Sequence, residues 1–179
     1  TANSAYKSWS ERNKALANEI SKVSEEIELQ NNAAIEYLKK ANSVGLGESW
    51  AKKVRNGAID IDTLNQDNSN EELVEKIKNY QKWYELYLDC IDAAEELREE
   101  EAKLYEQRFE NVQSRYDGIL QGFEHTESML NEYISQAEAK GNIVSKNYYN
   151  ALIDNEEDRI QTLKQEQIDL LKKRDEFES

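Results

Sequence analysis

Between residues 71 and 140, apolar side chains recur mostly every three or four positions, with a shift of register between Ala94 and Tyr105, and no proline interrupts them. The series is Leu73, Ile77, Tyr80, Tyr84, Tyr87, Ile91, Ala94, Tyr105, Phe109, Val112, Tyr116, Ile119, Phe123, Leu130, Tyr133 and Ala137. This spacing places the apolar residues on one face of an α-helix and is typical of a heptad seam. We therefore predict one long helix over residues 71–140, about 105 Å long at 1.5 Å per residue.

Two shorter segments with the same periodicity flank this helix. Residues 4–42 form the first predicted helix, with an N-cap at Ser4 or Ser8. Its inward candidates are Trp9, Leu16, Ile20, Val23, Ile27, Ala34, Leu38 and Ala41, interrupted by Asn13 and Asn31. Residues 145–178 form the last, capped by Ser145 after a turn at Gly141. Its inward candidates are Tyr149, Leu152, Ile153, Ile160, Leu163, Ile168, Leu170, Leu171 and Phe177.

Residues 43–70 break the helical pattern. Three of the chain's six glycines fall in this segment, which ends in a polar run of Asn, Gln, Asp and Ser. Apolar residues nevertheless remain, among them Trp50, Ile59, Ile61 and Leu64. We predict a connector with short helical turns that packs back on its neighbours, because a free linker would carry more Gly and Ser and fewer large apolar residues.

These segments predict an all-α fold in one helical domain or fragment. We expect an antiparallel, coiled-coil-like rod of three long helices, with the long middle helix as its spine and the outer helices meeting near its centre. Thr1 and Ser179 would then lie together at mid-rod. Gly118 and Gly122 sit one turn apart and allow either a close helix approach, which we expect, or a kink. A bend at these glycines would give the alternative, a compact three-helix bundle.

Charge and cysteine content limit the function classes. With 37 acidic and 23 basic residues the net charge is −14, which disfavours nucleic acid and anionic lipid as partners. The only cysteine, Cys90, excludes intrachain disulfides and CxxC metal sites, and its apolar neighbours indicate a buried thiol. No apolar run reaches membrane-span length and no signal peptide opens the chain. Because the sequence begins at Thr1, we expect a fragment of a longer protein.

Few residues suggest catalysis. His125 is the only histidine, and the position one turn before it is Gly122 rather than the acid of a di-iron Glu-x-x-His motif. The glutamate-rich stretch 95–101 is typical of a solvated helix face. We therefore expect no enzymatic activity, and no catalytic, cofactor or metal site.

The aromatic residues suggest interaction surfaces instead. Ten tyrosines and three tryptophans are many for so polar a chain, and most of them fall on the predicted seams. Trp50, Trp83 and Tyr148 lie off the main stripes, so we take them as a candidate interaction surface. A partner rod covering them would give weak self-association of a monomer that folds without it.

Several stretches of the sequence resemble tail tape measure proteins of phages and prophages of Gram-positive bacteria. The resemblance covers about residues 50–170, and a few segments carry most of it: 79–84 (NYQKWY) with 88–90 (LDC), 109–117 (FENVQSRYD), 133–141 (YISQAEAKG) and 144–153 (VSKNYYNALI). Residues 57–62 (GAIDID) are also familiar in this setting.

Membership in that family would imply a long helical protein of the tail lumen. Such proteins set the length of the tail tube, act as an assembly scaffold and leave the tail at genome delivery. The partners implied are other tail proteins or helical segments of the parent chain, and the location implied is the virion tail after assembly in the host cytoplasm. No catalytic residue carries over, because no segment matches the peptidase or muramidase modules found in some members. The alternative without a phage connection is a cytoplasmic coiled-coil adaptor that binds partner helices.

Overall fold

A computed structural model describes residues 2–178, with the side chains of residue 4 and residues 6–176. It confirms the all-α class, since the described residues contain helices and turns and no strand. The helices are α1 (Ala2–Asn42), α2 (Glu48–Arg55), α3 (Ile61–Asn65), α4 (Glu71–Ala139) and α5 (Lys146–Glu178), with a 3₁₀ turn at Asn68–Asn70 before α4.

The three long helices begin and end within two residues of the predicted bounds. α1 begins at Ala2, so Ser4 and Ser8 lie inside the helix and do not cap it. Gly141 ends α4 with a φ of 73°, and its amide and that of Asn142 donate to the carbonyls of Glu138 and Ala137. This is the double hydrogen bond of a Schellman motif, in which glycine avoids the steric cost of a positive φ. The Oγ of Ser145 accepts from the Asn147 amide at 3.3 Å, as an N-cap does.

Where the sequence predicts one domain, the chain divides into two compact units. The connector unit holds residues 21–101, and the junction unit holds residues 1–20 together with residues 102–179. The rod and the bundle both stay predictions. The expected meeting of Thr1 and Ser179 lies outside the described residues.

The core of the connector unit forms where residues 43–70 fold back on α1 and α4. Ala41, Leu46 and Ala51 are buried there against Ile77 and Tyr80, which are 0% and 2% exposed. The packing prediction for this segment therefore holds: Trp50, Val54, Ile59, Ile61 and Leu64 all contact this core. In the same unit α1 runs antiparallel to α4, because Tyr37 stacks on Trp83 and Asn31 contacts Arg98.

In the junction unit, α5 runs antiparallel to α4. Four contacts between them progress in opposite directions along the two helices: Tyr133 with Tyr148, Phe123 with Asn155, Tyr116 with Asp169, and Arg108 with Glu176. The beginning of α1 joins them, since the Nε1 of Trp9 donates to the carbonyl of Asn111 at 2.7 Å. Three helices therefore overlap around residues 108–116 of α4.

Gly118 and Gly122 do not mark a close helix contact. A Cβ atom built at either glycine meets no atom within 4 Å, and both residues are exposed. The expected close approach is therefore wrong. α4 is also assigned as one uninterrupted helix through both glycines.

Candidate interaction surfaces

Trp50 and Trp83 lie in the connector unit, and both pack against its core from the side. The Trp83 ring stacks on Tyr37 with centroids 6.0 Å apart. The ammonium groups of Lys40 and Lys82 lie 4.6 and 4.8 Å from its centroid. Lys53 lies 4.6 Å from Trp50. Both tryptophans are thus half-buried and already engaged with residues of the same unit.

Tyr148 belongs to the junction unit. Its ring stacks on Tyr133 at a centroid distance of 4.3 Å, and a hydrogen bond with Tyr133 raises its pKa above the ordinary value. Next to it, partial desolvation and a hydrogen bond with Glu138 raise the pKa of Tyr149. The structure therefore brings Trp50 and Trp83 to one core and places Tyr148 in the other unit, at the start of the α4–α5 pair.

The face that α5 turns towards α4 is mostly polar, which corrects the sequence prediction. Its half-buried positions include Asn155, Arg159, Thr162, Glu166, Asp169 and Lys173. Six of the predicted inward residues instead lie exposed: Tyr149, Ile153, Ile160, Leu163, Ile168 and Leu171. Leu152 and Leu170 are half-buried, and the side chain of Phe177 lies outside the described residues.

Polar groups of α4 explain why α5 turns this face inward. The Nδ2 of Asn155 donates to the backbone carbonyl of Phe123 at 3.0 Å. The Tyr116 hydroxyl donates to the Asp169 carboxylate, and Arg108 forms an ion pair with Glu176 at 3.6 Å. This orientation pairs the Tyr116 hydroxyl and the Phe123 carbonyl with groups of α5, whereas leaving a buried donor or acceptor unpaired costs about 1–3 kcal/mol.

The opposite face of α5 carries a regular series, here called the outward seam. Its seven positions alternate in steps of four and three residues: Ile153, Glu157, Ile160, Lys164, Gln167, Leu171 and Arg174. All seven are exposed, and Ile153 and Ile160 are 56% and 43% exposed. Leu163 and Ile168 flank the seam and are exposed as well. Alternating steps of four and three are the a and d spacing of a coiled coil.

Burial dominates the chemistry of Tyr116 in the junction unit. Its side chain is 6% exposed. Burial, together with the hydrogen bond to the negatively charged Asp169, raises its pKa to about 12. The neutral hydroxyl therefore persists across the physiological range and acts as a fixed hydrogen-bond donor between α4 and α5.

An open groove of about 680 Å³ lies between the beginning of α1 and α4 in the junction unit. Tyr6, Trp9 and Arg115 form one wall, and the guanidinium of Arg115 lies 4.3 Å from the centroid of the Trp9 ring. Gly118 and Gly122 also line the groove. The groove therefore has a partly aromatic and cationic lining.

Neither a metal centre nor a membrane span emerges from the described residues. Among the side chains that the structure describes, those of residue 4 and residues 6–176, no group of three or more His, Cys, Asp or Glu is arranged to hold a metal ion. None of the helices within residues 2–178 combines the length and the apolar character that crossing a bilayer requires. His125 lies exposed on α4, as do Glu124 and Glu127.

The sequence interpretation missed the outward seam and the groove. Periodicity finds a stripe on α5 but does not say whether that stripe faces α4 or away from it. The polar series from Asn155 to Lys173 has helical spacing too, and this spacing could have indicated that a polar face of α5 packs on α4. No comparable signal marks the groove, since Trp9 reads as an ordinary core residue.

No known protein family, curated protein or solved structure matches this chain. The resemblance to tape measure proteins therefore stays a prediction.

Proposed function

We propose that this chain is a non-enzymatic helical spacer within a phage tail tape measure protein, where it contributes to the scaffold on which the tail assembles. In this role it acts in the virion tail after assembly in the host cytoplasm. Its partners are other tail proteins or helical segments of the parent chain.

One observation carries the proposal: α4 continues without interruption for 69 residues. A straight helix of that length would span about 104 Å, a useful increment for a protein whose length sets that of a tube. Antiparallel packing supports α4 in both units: α1 contacts it in the connector unit, and α5 contacts it in the junction unit.

The segments that carry the resemblance also contain packing residues. Segment 79–84 includes Tyr80 and Trp83, which lie in or against the connector core, and segment 109–117 includes Val112 and Tyr116 of the junction unit. Residues that hold helices together fit a structural role better than a catalytic one. This placement supports a spacer built from packed helices.

The test begins with the genes beside the one that encodes this chain. A spacer predicts neighbouring genes for tail-tube and portal proteins. In such a phage, an in-frame deletion of residues 1–179 is expected to shorten the tails seen by negative-stain electron microscopy by up to about 100 Å. A matched control replaces the segment with an unrelated helical segment of equal length, which should restore tail length. Unchanged tails after the deletion, or a gene far from any tail gene, would contradict the proposal.

The second candidate function is a cytoplasmic coiled-coil adaptor, and the outward seam of α5 favours it because that seam offers a surface to a partner helix. Small-angle X-ray scattering with in-line light scattering separates the two. A monomer mass with a maximum dimension of about 105–115 Å would support a straight α4 and the spacer. A dimension near half of that would support the compact bundle and move the adaptor ahead.

A further inference from the structure

The outward seam of α5 is complementary to itself when one copy is reversed. About a point between residues 165 and 166, Glu157 pairs with Arg174, Ile160 with Leu171, and Lys164 with Gln167. Each pair joins an a position to a d position, as antiparallel coiled coils require. The charged residues at the two ends meet residues of opposite charge, and the apolar positions meet each other.

We propose that the outward seam binds the same seam on a second copy of this chain, in the antiparallel direction, with the two-fold axis passing between residues 165 and 166. The contact is isologous, because each copy contributes the same residues. It goes beyond the proposed function, since a spacer and an adaptor could both use it.

Charge selects this orientation. A parallel, in-register pair would set Glu157 against Glu157, Lys164 against Lys164 and Arg174 against Arg174, and like charges in contact are repulsive. The antiparallel pair replaces both end repulsions with attractions. Lys164 at a central a position weakens the contact and favours the single register in which it meets Gln167.

The structure also sets the strength of the contact. The paired stretch, residues 157–174, covers about 26 Å of helix. Its apolar contribution comes from Ile160 and Leu171, with Leu163 and Ile168 at the sides. An interface formed by so few apolar side chains buries less surface than an ordinary stable interface, which covers about 1,200–2,000 Å². We therefore expect a dissociation constant between micromolar and millimolar, and a monomer in dilute solution.

Sedimentation velocity on the full chain, from about 10 μM to 1 mM at low salt, tests the pairing. Glu157→Lys sets a lysine against Arg174 of the second copy at both ends of the pair, and Arg174→Glu sets a glutamate against Glu157. Each variant should weaken the dimer about tenfold. Mixing the two variants, or combining both changes in one chain, restores opposite charges and should restore the wild-type dissociation constant. Both residues are exposed, so neither change removes a packing contact.

Glu127→Lys is the matched control, because Glu127 is an exposed glutamate on α4 rather than α5. It changes the net charge as Glu157→Lys does, and it should leave the dissociation constant unchanged. An equal loss in this control would trace the effect to net charge and overturn the seam.

Cysteine cross-linking tests the orientation. A mixture of Lys164→Cys and Gln167→Cys chains should cross-link under mild oxidation, because these positions meet across the axis. Ile153→Cys should not, since its two copies would lie about 37 Å apart along the antiparallel pair. The wild type, whose Cys90 is buried, gives the background.

Three results would overturn the proposal. A monomer throughout the concentration range would mean that the seam does not bind a second copy and is left to a helix of another protein. A dimer indifferent to both charge reversals would use another surface. Efficient cross-linking of Ile153→Cys would mean a parallel pair.

Discussion

Replacing Tyr116 with phenylalanine tests how the junction unit holds α5 on α4. The change keeps the buried ring and removes the hydroxyl that donates to Asp169. In the folded chain, burial and Asp169 raise the pKa of Tyr116 to about 12. An unfolded tyrosine titrates near pH 10, so the difference is worth about 3 kcal/mol of pH-dependent free energy of unfolding.

The direction of the pH dependence follows from which state, folded or unfolded, loses the Tyr116 proton first. Because the folded pKa is the higher one, this contribution is fully present below about pH 10 and is lost as the pH rises towards 12. At pH 11 the unfolded tyrosine is mostly ionised while the folded one is mostly neutral. About half of this contribution to the free energy of unfolding should be lost by that point.

Urea unfolding followed by circular dichroism at several pH values between 8 and 11 measures the effect in wild type and in Tyr116→Phe. At pH 8 the variant should be less stable by about 1–2 kcal/mol, the net worth of the lost hydrogen bond. Phenylalanine cannot ionise, so the difference in stability between the two proteins should narrow by roughly 1 kcal/mol by pH 11. Comparing the two proteins cancels the titration of groups that they share.

Asp169→Asn serves as the second variant, because it keeps an acceptor oxygen and removes the negative charge. The contribution of burial to the pKa of Tyr116 remains in this variant, so the pH dependence should weaken without vanishing. A gap between wild type and Tyr116→Phe that stays constant from pH 8 to 11 would refute the reasoning. Tyr116 would then titrate as an ordinary tyrosine, without burial against Asp169.

Three further predictions concern packing, each measured as the free energy of unfolding in urea. Gly118→Ala and Gly122→Ala should each stabilise α4 by up to about 1 kcal/mol, since an added Cβ meets no atom; a loss of stability would reveal a close contact. Ile77→Ala, at a fully buried position, should cost about 2–5 kcal/mol, whereas Ile153→Ala in the dilute monomer should stay within about 0.5 kcal/mol of wild type. Trp9→Phe keeps a ring but removes the donor to the α4 backbone, and should cost about 1 kcal/mol.

The helix bounds could be predicted from the sequence because local chemistry fixes them. Gly141 supplies the positive φ that ends α4, and Ser145 supplies the oxygen that caps α5. The inward face of α1 could also be predicted: Leu16, Ile20, Ala34 and Ala41 are buried, and the other predicted positions are half-buried. On α1 the apolar stripe has no competitor, so periodicity identifies the buried face directly.

The orientation of α5 could not be predicted in the same way. Its apolar stripe and its polar series both repeat with helical spacing, and the choice between them depends on what α4 presents. α4 presents a hydroxyl at Tyr116, a guanidinium at Arg108 and a backbone carbonyl at Phe123. These are tertiary partners, which no property of α5 alone encodes. The predicted close approach at Gly118 and Gly122 was wrong for a similar reason, since the spacing of glycines permits a close helix contact but does not create one.

The two units differ in how they are stabilised. Among residues with described side chains, nine apolar residues are buried in the connector unit of 81 residues, and six in the junction unit of 98. The junction unit therefore depends more on hydrogen bonds, each with a net worth of only about 0.5–1.5 kcal/mol, so α5 should open before the connector core. Pairing through the outward seam would add apolar burial to α5, and binding that favours the folded state stabilises it by mass action. Hydrogen exchange of α5 should consequently slow as chain concentration rises, while exchange around Ile77 and Tyr80 stays constant. An α5 whose exchange ignores concentration would mean that its stability comes wholly from α4.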